Sequence, residues 1–253
     1  MENKNILQFW NQQAALSEKA GSRDLIAKEL EVAALARHIQ NGKEICEFGC
    51  GNGVTAIQFV QRFDSHIDAF DFSSAMIDAA RLAAKEARVD NKIDFEVADV
   101  QGEPKLSKQY DIIYTERMLI NLKNWELQER AIRFLSGNLK PRGRLLLCEN
   151  SVEGLGKLNQ LREMVGLDRI TAPWHNCYLS DKAVEGLHGK GLTLVSVEPF
   201  SATYYFLSRV VNAWLAKREG IEPAYDAPVN QLALSLPAFG DCAQGKLWVF
   251  EKK

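Results

Sequence analysis

Short apolar segments alternate with helical segments through the middle of this chain, and this alternation is what most restricts its fold. The runs Glu44 to Phe48, His66 to Phe70 and Lys92 to Ala98 have the length and composition of buried strands. Helical patterns follow the first two runs, at Val54 to Phe63 and Ala75 to Ala87. Strands that alternate with helices imply parallel neighbours joined by right-handed crossovers. The sequence therefore predicts a doubly wound, mostly parallel α/β sheet.

The alternation continues to Glu149 and then changes. A strand at Asp111 to Thr115 is followed by a helix at Glu126 to Asn138 and a strand at Arg144 to Glu149. Two further strands, Thr193 to Pro199 and Lys246 to Glu251, are separated by about forty-five residues of mixed helix and loop. We expect this long connection to lie over a ligand site.

The first strand ends in a glycine-rich loop. The run Glu47-Phe48-Gly49-Cys50-Gly51-Asn52-Gly53 stands directly before a predicted helix. Its glycines allow a tight turn and a close backbone approach to a ligand, and the helix start offers unpaired N–H groups to an anion. The second strand ends at Asp71, where a carboxylate can accept hydrogen bonds from both hydroxyls of a ribose. A nucleotide-type ligand is therefore predicted at the carboxyl edge of the sheet.

Two features favour S-adenosylmethionine (SAM) over a dinucleotide. The glycine spacing is G-x-G-x-G, and Glu47 would repel a pyrophosphate but attract the ammonium group of methionine. The third strand leads into Asp99, whose carboxylate can accept a hydrogen bond from the exocyclic amine of adenine. Phe72, Met76 and Val100 supply apolar walls for the ring.

Five blocks in this order resemble the class I SAM-dependent methyltransferases. They are EFGCGNG at 47–53, DFSSAMIDAAR at 71–81, ADV at 98–100, YDIIYTERMLINL at 110–122 and LKPRGRLLLCEN at 139–150. The resemblance covers residues 40–150 and implies a Rossmann-like methyltransferase fold of seven strands, the last of them antiparallel, with helical insertions. It also implies that the methionine part lies on Gly49, Gly51 and Gly53, the ribose on Asp71 and the adenine at Asp99. We add Cys50, from the loop, and Thr115, after the fourth strand, to the predicted cofactor site.

The 253 residues, 46% of them hydrophobic, suit one large α/β domain. Within it we expect a helical cap at 1–40, a SAM-binding core at 41–150, and substrate-side insertions at 151–190 and 200–245. Ser22 or Asp24 is the expected N-cap of the second helix of the cap.

The methyl acceptor must be held by loops above the strand ends. Methyl transfer is an in-line displacement that needs positioning and exclusion of water, and a base if the acceptor is a hydroxyl or a protonated amine. His175 titrates near neutral pH and is the first candidate base, with Glu116 and Tyr178 as further catalytic candidates. The predicted substrate-binding residues are Arg117, Asn150, Trp174 and Asn176.

Each of these residues also has a structural interpretation. A histidine among aromatic residues is often a packed structural residue, and Glu116 and Arg117 are able to form an ion pair with each other. The run Tyr204-Tyr205-Phe206 and Trp214 either line the acceptor pocket or belong to the core.

Composition argues against several other classes of protein. A net charge of -2 provides no basic field for nucleic acid. Five cysteines without a C-x-x-C pair, and no leader, favour reduced thiols and a cytoplasmic location. The histidines and cysteines lack metal-ligand spacing, so no metal is expected. No apolar run approaches a membrane span.

We therefore predict a SAM-dependent methyltransferase that acts on an O or N atom of a small molecule. The C-terminal insertion, with TERMLINL and PWHNCYL, is also similar to bacterial methyltransferases encoded among surface-polysaccharide genes, which implies a sugar or nucleotide-linked sugar as acceptor. One alternative is a SAM-binding sensor or non-catalytic partner subunit. Another is an RNA methyltransferase, which would need a basic, aromatic-lined face. The oligomeric state is left open.

Overall fold

The structure is a computed structural model that describes residues 2–253, without the side chains of residues 2–4 and 17–19. Met1, the first residue of the predicted cap, lies outside the described residues. A seven-stranded sheet in the order β3-β2-β1-β4-β5-β7-β6 forms the centre of the molecule. The strands are β1 (Glu44–Phe48), β2 (His66–Asp71), β3 (Ile93–Val97), β4 (Tyr110–Glu116), β5 (Leu139–Asn150), β6 (Leu192–Glu198) and β7 (Gly245–Lys252).

Strand direction follows the predicted pattern. Strands β1 to β5 are parallel to their neighbours, with Phe48 opposite both Phe70 and Thr115. Strand β7 is antiparallel to β5 on one side and to β6 on the other. The predicted α/β sheet of seven strands with an antiparallel last strand is therefore confirmed. Its parallel strands bring the ends of β1, β2 and β4 to one edge.

Helices flank the sheet and extend over that edge. They are α1 (Glu2–Gln13), α2 (Leu25–Ala36), α3 (Val54–Arg62), α4 (Ser74–Glu86), α5 (Trp125–Gly137), α6 (Val152–Met164), α7 (Asp181–Glu185), α8 (Ala202–Phe206), α9 (Asn212–Glu219) and α10 (Pro228–Gln231). A π-helical turn, Leu207–Val211, joins α8 to α9. Asp24 is the N-cap of α2, and its carboxylate accepts a hydrogen bond from the Ala27 N–H at 3.1 Å. This confirms one of the two caps considered for this helix.

Three apolar clusters hold these elements together. Two lie on opposite faces of the sheet, around Ile45 and Tyr114 on one face and around Phe48 and Trp248 on the other. The third contains Tyr204, Leu158 and Ala27, and so packs the 200–245 insertion against α6 and α2. Burial of apolar area is the main driving force for folding, so this third cluster fixes the insertion above the sheet edge. In the described part of the chain, no helix is long and apolar enough to cross a membrane.

Candidate active site

A cavity of about 510 Å³ opens at the carboxyl ends of β1, β2 and β4. Its volume is in the range of small-molecule and cofactor sites. One end, which we call the cofactor end, is lined by Glu47, Gly49, Cys50, Gly51, Asn52, Asp71, Phe72, Met76, Asp99 and Val100. The other, the acceptor end, is lined by residues of α1 and α2, of the segment 116–122 and of both insertions. The two ends are continuous, so a group bound at one can reach a group bound at the other.

The glycine loop has the backbone that only glycine adopts freely. Gly49, Gly51 and Gly53 have φ values of 80°, 52° and 76°. A Cβ on Gly49 would lie 2.3 Å from Cγ of Met118, so a larger residue would separate this loop from the segment after β4. A Cβ on Gly51 would meet no atom within 4 Å, and Gly51 is itself part of the cavity wall. Gly53 is the N-cap of α3 and lies outside the cavity wall.

Asp71 ties the end of β2 to the glycine loop. Its carboxylate accepts hydrogen bonds from the backbone N–H of Gly51 and of Ser73, both at 2.9 Å. Burial raises the pKa of Asp71 to about 6, although these backbone N–H groups favour the ionised form. The carboxylate is thus positioned at the wall and able to accept the hydroxyls of a ribose.

Glu47 is the acid beneath the loop. Its side chain is buried and accepts a hydrogen bond from the Tyr114 hydroxyl at 2.9 Å. Burial raises the pKa of Glu47 to about 8, with the nearby Glu116 adding to the effect and Lys28 opposing it. A cation bound next to this carboxyl would stabilise its ionised form and lower its pKa again.

The residues predicted around adenine converge at the same end. Phe72, Met76, Asp99 and Val100 all line the cavity, and Asp99 accepts a hydrogen bond from the Gln101 N–H at 2.9 Å. The cofactor end therefore combines three carboxylates, those of Glu47, Asp71 and Asp99, with an apolar wall. In the predicted site these acids would face an ammonium group, a ribose and an amine, respectively. These groups fit SAM.

Charged residues of α2 meet the segment after β4 at the middle of the cavity. Lys28 Nζ lies 2.6 Å from Glu116 Oε1, and the other Glu116 oxygen accepts from the Thr55 hydroxyl at 2.6 Å. Arg117 Nε lies 3.1 Å from Glu31 Oε2. The sequence-based prediction of an ion pair between Glu116 and Arg117 is therefore wrong. Glu116 pairs with Lys28 and Arg117 pairs with Glu31, and both partners lie on α2. Lys28 and Arg117 hold the pKa of Glu116 below its usual range, against the effect of its burial.

Arg117 has an unusual backbone. Its φ of 52° is left-handed, which is costly for a residue with a Cβ, and its N–H donates to the Cys148 carbonyl at 2.9 Å. Glu149 fixes the following turn by accepting from the Met118 and Leu119 N–H groups at 3.1 and 3.0 Å. The strained residue thus stands at the point where the chain leaves β4 for the cavity.

His175 lies in an aromatic wall formed with α1. Its ring stacks on Phe9 at 4.4 Å between centroids and meets Trp10 edge-on at 5.9 Å. Burial lowers the pKa of His175, so its neutral, proton-accepting form predominates at pH 7. Its neighbour Asn176 also lines the cavity, whereas Trp174 is 66% exposed and lies outside the wall.

The far wall of the acceptor end is a set of hydroxyl and amide groups. The Gln244 amide donates to the hydroxyls of Tyr178 and Tyr205, at 3.2 and 3.4 Å, and Asn150 lines the cavity beside them. Burial raises the pKa of Tyr178, so the phenol keeps its proton near neutral pH. Tyr205 is the residue of its aromatic run that lines the cavity, while Tyr204 is buried and Trp214 does not line it.

Three predicted site residues are absent from the cavity wall. Gly53 caps α3, Trp174 faces solvent, and the hydroxyl of Thr115 donates to Glu149 at 2.7 Å. Local spacing in the sequence assigns all three to the site, and these assignments stay predictions.

Several lining residues were missed by sequence reasoning. They are Ile6, Leu7, Trp10, Lys28, Glu31, Asn121, Arg209, Tyr225 and Gln244. Most sit within helical patterns whose only local signal is that of a cap or a core face. The position of the insertions over the sheet edge was the one usable signal for Arg209, Tyr225 and Gln244.

One cluster of acid and histidine side chains lies at the opposite edge of the sheet. His66, Asp68 and Asp94 bring ligand-type atoms within 4.8 Å of one another, at the amino ends of β2 and β3. Lys108 Nζ lies 3.3 Å from the Asp68 carboxylate and supplies a cation to this group. The cluster is separate from the cavity.

Part of the chain is similar in sequence to known methyltransferases. Residues 45–143 match the sequence model of a family described as a methyltransferase domain. The 27-O-demethylrifamycin SV methyltransferase of Amycolatopsis mediterranei (strain S699) is 28% identical over 142 residues, which are 55% of this chain and 48% of that protein. The chain thus spans about half the length of this curated relative.

Solved structures extend the likeness to nearly the whole chain. Magnesium protoporphyrin IX methyltransferase (ChlM) from Synechocystis PCC 6803, with bound SAH, has a TM-score of 0.56 and 15% identity over 89% of this chain and 81% of that chain. The [4+2]-cyclase SpnF has a TM-score of 0.58 and 22% identity over 89% of this chain and 80% of that chain. At identities this low, the structural similarity shows that the fold is shared and shows nothing more. The family match identifies residues 45–143 as a methyltransferase domain, and the solved structures show the fold that the chain shares with them.

Proposed function

We propose that this protein transfers a methyl group from SAM to an O or N atom of a small molecule. The observation that carries the proposal is the continuity of the cavity, which joins an acidic cofactor end to a polar, aromatic acceptor end. SAM supplies an electrophilic methyl carbon on its sulfonium. The protein must hold a nucleophile about 3 Å from that carbon and keep water away.

Each acidic residue of the cofactor end binds a different part of SAM. In this proposal Glu47 pairs with the ammonium group, Asp71 accepts the ribose hydroxyls, and Asp99 accepts the adenine amine. The loop backbone at Gly49 and Gly51 lies under the methionine part. For Glu47 and Asp71 the fit rests on burial and on the hydrogen bonds described above; for the exposed Asp99 it rests on position and on complementarity of charge.

For the proton of the acceptor we propose His175 as the base. It lines the acceptor end in a neutral form, because burial lowers its pKa. Glu116 is a weaker base, since both its oxygens are engaged by Lys28 and Thr55. Tyr178 keeps its proton and suits orientation of a polar acceptor by hydrogen bonding.

The acceptor itself is proposed to be small. Side chains of α1 and both insertions surround the acceptor end, which leaves a cavity of the size used for small ligands. A sugar or a nucleotide-linked sugar is one such acceptor. The name of the Amycolatopsis relative describes methylation of a small molecule, which supports the same class.

The test is transfer of a labelled methyl group from SAM to a panel of small hydroxyl and amine compounds, beside calorimetric affinities for SAM and SAH. We expect a labelled small-molecule product and release of SAH. Tight binding of SAM without transfer to any compound would favour the alternative of a sensor or partner subunit.

An RNA acceptor is tested separately. We expect no competition by RNA and no salt-dependent RNA binding, because the net charge of the chain is -2. Strong, salt-dependent binding would restore that alternative.

A further inference from the structure

The charges that line the cavity are unevenly distributed between its two ends. The cofactor end contains the acids Glu47, Asp71 and Asp99, and the described residues place no lysine or arginine there. We count the charged residues at the middle of the cavity with the acceptor end. Its wall then contains four cations, Arg23, Lys28, Arg117 and Arg209, and three acids, Asp24, Glu31 and Glu116. Four cations face three acids at this end. An excess of positive charge in a partly enclosed site favours an anionic ligand.

Pairing among these groups leaves the excess in place. Lys28 pairs with Glu116, Arg117 with Glu31, and Arg209 Nη2 with Asp24 at 2.8 Å. Arg23 lines the cavity without an ion pair among the described residues. In addition, burial raises the pKa of Glu31 and reduces the negative charge available to offset Arg117.

Arg209 has the geometry of an anion-binding residue. Its guanidinium carbon lies over two aromatic rings, 4.8 Å from the ring centroid of Tyr225 and 5.5 Å from that of Tyr205, and these contacts favour a fixed position of the group. The guanidinium has five N–H donors, and in the described part of the chain one hydrogen bond of this group, to Asp24, is found. Its other donors are therefore available to a ligand.

Asp24 holds Arg209 in place and has little capacity left for a ligand. Its Oδ1 accepts from the Ala27 N–H and from the Tyr204 hydroxyl, and its Oδ2 accepts from Arg209. The arginine stands in the middle of the π-helical turn Leu207–Val211, a type of irregularity that is frequent at functional sites.

Arg209 is separate from the cofactor end. Its guanidinium carbon lies 5.5 Å from the ring centroid of Tyr205, in the far wall of the acceptor end, where the Gln244 amide donates to the Tyr205 hydroxyl. A ligand bound by Arg209 would thus lie next to this tyrosine.

We propose that Arg209, packed on Tyr205 and Tyr225 and positioned by Asp24, binds an anionic oxygen group of the methyl acceptor, in the first place a carboxylate. The inference rests on the proposed function, because it names the class of acceptor for the same cavity. A planar guanidinium matches a carboxylate through paired hydrogen bonds, and the adjacent tyrosine hydroxyls add donors. Phosphate presents the same oxygen chemistry and is the second possible source.

The test uses small carboxylates as probes on the intact protein. Acetate, benzoate and phenylacetate are titrated calorimetrically, each beside its uncharged amide, with inorganic phosphate as a separate arm, in the presence and absence of SAH. We expect at least one acid to bind about tenfold or more tightly than its amide, the scale of a charge-assisted hydrogen bond. Stronger binding of phosphate than of every acid would assign the phosphate source instead.

Variants then connect the preference to the residue. Arg209→Gln should abolish the preference for the acid and leave SAH affinity within about twofold. Arg209→Lys, which keeps the charge beside Asp24 and protects the fold, should retain only part of it. The matched control is Arg218→Gln, an exposed arginine stacked on Trp214 at 4.9 Å and outside the cavity wall.

Two results would overturn the proposal. The first is that the wild-type protein binds every acid and its amide equally well; this result is decisive without any variant. The other is loss of SAH affinity in Arg209→Gln by as much as the loss of acid binding, which would assign Arg209 to the cofactor. A wild-type protein that fails to bind SAH would contradict the proposed function, while the titrations without SAH would still decide the role of Arg209.

Discussion

The two ends of the cavity are built in different ways. The cofactor end comes from the ends of three consecutive strands: Glu47 is the second-last residue of β1, Asp71 is the last residue of β2, and Asp99 follows β3. The acceptor end joins residues that are distant in the sequence, such as Asp24 and Arg209, which are 185 positions apart, and Trp10 and Asn121, which are 111 apart. The first end is encoded locally, and the second exists only after the insertions have packed on α2.

This difference predicts that substitutions at the two ends have separable effects. Changes at the cofactor end should alter SAM affinity. Changes at the acceptor end should alter transfer with little effect on SAM. The four variants that follow run from the largest expected effect to the smallest.

Gly51→Val should abolish SAM binding, with a loss of more than about a hundredfold. A β-branched residue disfavours the φ of 52°, and Gly51 is itself part of the cavity wall. Calorimetry with SAM measures the loss. Gly42→Val is the matched control, because Gly42 also has a positive φ (70°) and open space at its Cβ but lies outside the cavity wall. Normal SAM affinity in Gly51→Val would contradict the position of the loop.

His175→Ala should lower the transfer rate by about 10²–10⁴-fold with little change in SAM affinity, the usual share of general-base catalysis. Rate, melting temperature and SAM affinity are measured on one preparation, with the pH dependence of the wild-type rate alongside. His66→Ala, at the opposite edge of the sheet, is the control. If the histidine is structural, the melting temperature falls instead, and any loss of rate follows the loss of folded protein. Near-normal transfer by the variant would end the proposal for His175 and make Glu116 and Tyr178 the next residues to test.

Asp71→Ala should weaken SAM binding by about 1–3 kcal/mol, the scale of a lost charge-assisted hydrogen bond. Because Asp71 also accepts from the Gly51 N–H, part of the loss would come through the loop. Asp78→Ala, an exposed acid on α4, should bind SAM normally. If Asp71→Ala keeps wild-type affinity while folded, Asp71 is not at the ribose.

Trp174→Ala should change SAM affinity and transfer by less than about twofold, because the ring is 66% exposed and outside the wall. Its contacts with Phe9 and His175 are edge-on, at 5.8 and 5.3 Å. The rate is compared with that of Trp10→Ala, because Trp10 lines the cavity. A large loss of transfer in Trp174→Ala would show that Trp174 belongs to the acceptor site.

The same contrast explains what the sequence could predict. The parallel strands and the positions of Asp71 and Asp99 follow from short patterns, since the end of a strand places a side chain at the sheet edge independently of distant segments. The antiparallel last strand is implied by the family resemblance. The pairing of Glu31 with Arg117, and of Gln244 with two tyrosines, depends on long-range packing that no local pattern encodes.

The same contrast explains why two predicted site residues lie outside the cavity wall. Thr115 stands at the end of β4, as predicted, but its hydroxyl is used by Glu149 from the adjacent strand. Trp174 is next to His175 in sequence, yet only the histidine faces the cavity. The division into a cap, a core and two insertions, the cytoplasmic location and the absence of a nucleic-acid partner stay predictions.

The central claim is that the acidic cofactor end binds SAM through ionised carboxylates, and calorimetric titration of the wild-type protein with SAM from pH 8 to pH 5 tests it most directly. Free Asp71 has a pKa of about 6 and free Glu47 of about 8, and the ribose and ammonium favour the ionised forms. We therefore predict one site of micromolar affinity that weakens by more than about tenfold as the pH falls, since both carboxyls must then lose a proton on binding. Affinity that is absent at every pH, or independent of pH while the protein stays folded, would contradict the account.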